Sequence, residues 1–167
     1  DIRPPDFFSR LKSSPQLPTT SQPSAGDFLE VYKSLTADGS EVISVHLSNK
    51  LSGTVVSAST ARDLLPGARI HVVDTQFIAA AQELMVMEAA RMAAAGQEAE
   101  AIVARLNQLM AGFHFYLTLE TLEYLEKGGR IGKAAALLGS ALQMKPIVEI
   151  RGGAVEAAGR VRSKSKA

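Results

Sequence analysis

Two short β-branched runs, Glu41–Leu47 (EVISVHL) and Arg69–Val73 (RIHVV), constrain this chain more than any other feature, because each is followed by a helical segment. Strands alternating with helices of roughly 10–15 residues imply right-handed parallel crossovers and an α/β sheet with helices on both faces. The first helix is expected over 54–65, ending at Pro66-Gly67. The second is expected to open at Asp74-Thr75 and run Ala-rich to about residue 95, where Gly96 stops it. Upstream, residues 6–12 read as a short helix with Phe7, Phe8 and Leu11 on one side. Ser24 and Asp27 form a capping box, and Phe28, Leu29, Val31, Tyr32 and Leu35 make an apolar stripe that ends at Asp38-Gly39. Residues 98–110 read as a further helix, with Ile102, Val103, Leu106 and Leu109 on its face.

The texture changes at Phe113. A strand is expected over 114–118, a short helix over 119–126, a break at Gly128-Gly129 and a helix over 133–142. Residues 145–150 and 154–159 then flank Arg151-Gly152-Gly153 as a hairpin. A boundary is therefore expected near residue 112, with residues 1–112 as one α/β domain and 113–167 as part of a second α/β (α+β) domain. The chain starts at Asp1, and its last 17 residues carry five basic side chains and one acidic, with no helix stop. Both ends read as cuts within a longer chain.

Composition narrows the function. With 46% apolar and 21% charged residues the chain is a globular mixture, not a disordered one. No stretch approaches the roughly 18–20 apolar residues of a membrane span, and no secretory leader is visible, so a cytoplasmic protein without stable membrane insertion is expected. Zero cysteines exclude disulfides, thiol nucleophiles and Cys-ligated metals. A net charge of +1 argues against a polyanionic partner, and the basic tail lacks the aromatic interleaving of a nucleic-acid site.

In open α/β sheets, ligands bind where the carboxyl ends of strands lead into helix N-termini. Two hydroxyl-rich loops qualify, Thr19–Ser24 and Ser48–Thr54. Gly53 allows close backbone approach, Ser52 and Thr54 can donate hydrogen bonds, and a helix N-terminus favours an anion, either carboxylate or phosphate. Ser52 also reads as the N-cap of its helix, and Ser24 as the cap of another. His46, His71 and His114 each fall in a strand without metal-ligand spacing, so they read as core or sheet-face histidines and no metal is expected. The absence of a GxSxG elbow weakens a Ser52–His46–Asp74 hydrolase. Residues 128–133 (GGRIGK) resemble a phosphate loop only loosely, and Met85, Met87 and Met92 read as core, though Met and Ala also suit an adaptable apolar tunnel.

At these same loops TTSQPS (19–24), HLSNKLSGT (46–54), VVDTQ (72–76), TLEYLEKGGRIGK (121–133) and ALLGSALQMKPIVEI (136–150) occur in order along nearly the whole chain. Together they resemble the DegV family of bacterial fatty-acid-binding proteins. The resemblance implies one long-chain fatty acid, such as palmitate, held between two domains, with no cofactor and no catalytic residue. It implies that the carboxylate is contacted by Thr20 and Ser52 beside Gly53, with Ser21, Thr54 and Arg130 as secondary candidates. It also implies presentation of that carboxylate to a separate ATP-dependent kinase subunit. The alternative from the residues alone is an enzyme or sensor domain gripping a phosphorylated metabolite through Ser48–Thr54. One departure is Ala79-Ala80-Ala81-Gln82-Glu83, where many relatives have glycines, and it bears on the shape of the tail pocket.

Overall fold

The computed structural model describes residues 2–139 and 144–163. Its elements in chain order are α1 (Pro4–Ser13), α2 (Ala25–Leu35), β1 (Val42–His46), α3 (Thr54–Asp63), β2 (Ile70–Asp74), α4 (Ala79–Ala94), α5 (Ala99–Gly112), β3 (Phe115–Thr118), α6 (Glu123–Lys127), a 3₁₀ turn (Gly132–Leu137), β4 (Lys145–Arg151) and β5 (Ala154–Val161). β1 and β2 pair in parallel from Val42–Ile70 to His46–Asp74, as the crossover argument requires. β3, β4 and β5 form an antiparallel sheet in that order, with a register shift at Ile147/Val148. The β4–β5 turn uses Gly152 and Gly153 at φ 52° and 82°, the left-handed conformation that a two-residue hairpin turn demands.

The period of two along each parallel strand separates two apolar layers. Val42, Ile70 and Val72 pack with Phe28, Leu29 and the buried Tyr32 of α2 and with Ala58 and Ala61 of α3. Both alanines are fully buried, and their small side chains let α3 lie close to the sheet. On the other face Ile43, Val45 and Val73 pack with Ala81, Met85 and Ala89 of α4 and Ile102 and Leu106 of α5. That cluster continues into Leu122, Ala134, Val148, Ile150 and Val155. Met85 is fully buried, while Met87 points to solvent, so the methionines expected together in the core divide between core and surface. Among the described residues no helix is long and apolar enough to cross a membrane.

Local expectations hold where side chains close their own caps. At α2 the Asp27 N–H donates to Ser24 Oγ (3.1 Å), and the Ser24 N–H donates to Asp27 Oδ2 (2.8 Å). They fail where a side chain is used elsewhere. α4 starts at Ala79, not at Asp74-Thr75. Asp74 Oδ1 accepts the Asn49 and Gln76 N–H groups, and Thr75 Oγ1 donates to the His46 carbonyl. Those side chains hold a loop and leave none to cap a helix. The helix expected over 119–126 is displaced to 123–127, and that expected over 133–142 is a 3₁₀ turn over 132–137; residues 140–142 lie outside the described residues.

Ala79 carries φ 51°, a left-handed conformation costing a non-glycine residue roughly 1–2 kcal/mol. Here lies the segment in which the sequence departs from the glycine-containing pattern. Ala79→Gly relieves the strain but frees the unfolded chain by about 0.4–1 kcal/mol. The expected net is a stabilisation of up to about 1.6 kcal/mol by urea unfolding. A loss of about 1 kcal/mol, the ordinary cost of Gly in a helix, would contradict the strain.

α4 and α5 are also tied by Glu88, whose carboxylate accepts from Arg91 Nε (2.8 Å) and Arg105 Nε (3.1 Å). The Arg91 hydrogen bond, then that of Arg105, holds the Glu88 pKa at about 2, below its ordinary 4.5. A depressed folded-state pKa stabilises above the unfolded value, and the contribution is lost as pH falls from 4.5 toward about 2. Glu88→Gln should therefore flatten part of the acid limb of the melting temperature against pH in that window. Exposure of both arginines keeps the change small. An unaltered limb would show that the pair contributes nothing.

Candidate functional site

The loop from β1 to α3 is built on Ser48, which is fully buried. Its hydroxyl donates to the Gly153 carbonyl at 2.6 Å and accepts the Lys50 N–H. Its carbonyl accepts the Leu51 and Ser52 N–H groups, and its own N–H donates to the Phe77 carbonyl. Ser48 is thus spent on structure, and the hairpin turn of β4–β5 holds the loop from below. Gly153 must be glycine, since a Cβ there would lie 2.7 Å from Ser48 Oγ.

Ser52 and Thr54 follow. Their hydroxyls share a 2.8 Å hydrogen bond, Thr54 being buried and Ser52 half-buried. The N-cap of α3 is Gly53, not Ser52, and no side chain caps it. Beside the Thr54 hydroxyl, Ser52 Oγ accepts a long hydrogen bond from the Thr54 N–H, at 3.4 Å. The expectation that Ser52 caps the helix is corrected, because a glycine one residue later already supplies the non-helical turn. With no acidic residue in its first turn, α3 presents its positive end beside this hydroxyl pair, a setting for an anion.

The first hydroxyl-rich loop is brought to the second by Gln22. A Cβ on Gly53 would sit 2.7 Å from Gln22 Nε2 and 2.9 Å from Gln22 Cδ, so the amide occupies the space a side chain at residue 53 would need. Sequence reasoning singled out Gly53 but not Gln22. The only signal was their membership of two motif blocks, since nothing in spacing tells which side chain fills the space a glycine leaves. Thr20 and Ser21 lie just upstream with exposed side chains. Among the described residues, neither is hydrogen-bonded to Ser52 or Thr54.

Arg130 arrives from the far half of the chain. Its Nη1 donates to the Gly128 carbonyl (2.7 Å), and its Nε reaches the Leu51 carbonyl (3.5 Å), 79 residues away in sequence. The glycines around it are structural. Gly129 has φ 71°. Gly132 has φ 52°, and a Cβ there would lie 2.3 Å from the Val155 carbonyl oxygen. Residues 128–133 close α6 and let β5 pass, which accounts for them without a phosphate.

The hydrolase constellation is not assembled. Tyr32 Oη donates to Ser44 Oγ at 2.6 Å, and Ser44 Oγ shares a second hydrogen bond with His46 Nε2, also at 2.6 Å. Burial pushes the His46 pKa down, and its ring meets Phe28 edge-on. His46 therefore faces Ser44 rather than Ser52, and Asp74 serves backbone N–H groups. His71 bonds Glu41 (2.9 Å), and His114 lies 3.6 Å from the Glu149 carboxylate.

Fold and loops together define an α/β protein with a hydroxyl pair beside a helix N-terminus at the carboxyl edge of its parallel strands. Over residues 1–167 the sequence matches the profile of a family described as "Uncharacterised protein, DegV family". The chain belongs to the DegV family. It is 41% identical over 167 residues to a DegV domain-containing protein of Listeria monocytogenes, covering 99% of this chain and 60% of that protein. A Thermus thermophilus structure described as fatty acid binding of a DegV family protein superposes with a TM-score of 0.93 at 43% identity, covering 99% of this chain and 59% of that one. A stearic-acid-binding protein from Eubacterium ventriosum gives 0.88 at 31% identity, covering 99% and 58%. The chain thus spans about 60% of the length of the curated relatives it matches.

Proposed function

We propose that the protein carrying this chain is a non-catalytic binder of one long-chain fatty acid, such as palmitate, with the carboxylate at the Ser52–Thr54 cradle. The observation that carries this is the uncapped start of α3 at Gly53, flanked by the Ser52–Thr54 hydroxyl pair and covered by Gln22. Similarity to the Thermus and Eubacterium proteins supports the acid over other anions. Thr20 and Ser52 are the proposed carboxylate donors beside Gly53. Ser21 and Thr54 support them, and Arg130 contributes charge from the edge.

Two neutral hydroxyls and a helix terminus orient a carboxylate but supply the smaller share of the affinity. Burying ~14 methylenes at ~0.8 kcal/mol each yields on the order of 11 kcal/mol before ordering costs. The tail dominates, and a second domain beginning near residue 113 is the proposed opposite wall. Residues 1–112 and 113–167 are read as parts of those two domains. Presentation of the carboxylate to an ATP-dependent kinase subunit belongs to the same proposal, as does a cytoplasmic location.

Native mass spectrometry of the intact gene product, purified without added ligand, tests the reading. A co-purifying C14–C18 acid is expected. A ligand-free protein that binds sugar phosphates instead would favour a phosphometabolite domain using Ser48–Thr54.

A further inference from the structure

At the opposite end of the parallel sheet, three side chains from three elements converge. Glu41 precedes β1 by one residue, His71 is the second residue of β2, and Glu100 is the second residue of α5. One ligand atom of each lies within 4.8 Å of the others. Glu41 and His71 are partly buried, and their shared contact is 2.9 Å. The remaining charge facing Glu41 is Arg69, whose Nη1 stands 3.8 Å from Oε2 on a largely exposed side chain, too far for a hydrogen bond. Spacing concealed this set, because His71 stands about thirty residues from each glutamate and no metal-binding motif links them.

We propose that Glu41, His71 and Glu100 form a divalent-cation site that takes zinc in preference to magnesium and clamps α5 to the amino-terminal edge of the sheet. One imidazole nitrogen and two carboxylates suit zinc, nickel or copper rather than magnesium or calcium, which take oxygen donors alone. Zinc lies about 2.0–2.2 Å from such atoms, so tetrahedral ligands stand about 3.4 Å apart. The 2.9 Å pair widens slightly, and Glu100, on the exposed first turn of α5, swings in. Three protein ligands leave a position for water. A hydrogen bond between Glu41 and His71 accounts for two of these groups but not for the approach of the third.

Calorimetric titration of zinc chloride into tag-free, metal-stripped protein tests the site. One zinc per chain is expected, with no comparable heat from magnesium. Zinc should raise the melting temperature of the unsubstituted protein. His71→Ala should weaken zinc binding by at least about tenfold, the lower bound for residues that merely support a ligand, and should abolish the thermal shift. Glu100→Gln, at an exposed helix position, keeps the test independent of folding and should also weaken binding. Zinc binding weaker than about 1 mM, or affinity unchanged by Glu100→Gln, would overturn the site and leave Glu41–His71 as a hydrogen-bonded pair only.

Discussion

Gly132→Ala is expected to destabilise the protein by about 3 kcal/mol or more, among the larger effects a single methyl group can have. Two costs combine. The backbone at φ 52° charges roughly 1–2 kcal/mol for any Cβ. The new Cβ would also stand 2.3 Å from the Val155 carbonyl oxygen, so β5 must move away from the 3₁₀ turn that packs on it. Val155 belongs to the same buried cluster as Val148 and Ile150, and the displacement reaches the core. Gly39→Ala is the control, with φ 84° and nothing within 4 Å of its Cβ, and should cost only the backbone strain. Urea unfolding of both variants separates the steric part. Equal losses would show that the close approach of Gly132 to β5 carries no energy.

Ser52→Ala should weaken fatty acid binding roughly tenfold to a hundredfold, since a hydrogen bond to a charged group is worth about 1.5–3 kcal/mol. The substitution leaves the α3 N-terminus and Gly53 in place. Because Gly53 rather than Ser52 is the N-cap, helix stability should change little. The expected loss lies in affinity rather than in melting temperature. Ser52 also shares its hydroxyl with Thr54, so the variant leaves Thr54 free to turn toward the ligand, which favours the lower end of the range. Thr20→Ala should cost a similar amount, and the double variant should be non-additive because both donors serve one group. Unchanged affinity in both single variants would remove the head group from this loop.

The parallel pair was legible because its β-branched residues alternate between two buried faces, with Val42 and Ile70 toward α2–α3 and Val45 and Val73 toward α4–α5. The α2 cap was legible because Ser24 and Asp27 satisfy each other locally. What escaped depends on distant partners. Asp74 and Thr75 look like a helix start, yet the Asn49 N–H and the His46 carbonyl claim them. Gly132 looks like the entry to a long helix, but the passage of β5 holds it in a tight turn. At the site, Ser48 read as one hydroxyl among three, and only the Gly153 carbonyl 105 residues away shows it to be structural. Arg130 was legible through its motif. Its approach to Leu51 was not.

The most direct test of carboxylate capture at Ser52 is calorimetric comparison of hexadecanoic acid with hexadecanol, on the intact gene product and on its Ser52→Ala variant. The apolar tail is common to both ligands, so its large contribution cancels and the head group alone is read. The proposed site predicts that the unsubstituted protein prefers the acid and that Ser52→Ala narrows that preference while remaining folded. Equal affinity for acid and alcohol in the unsubstituted protein, or a preference untouched by the substitution, would contradict it.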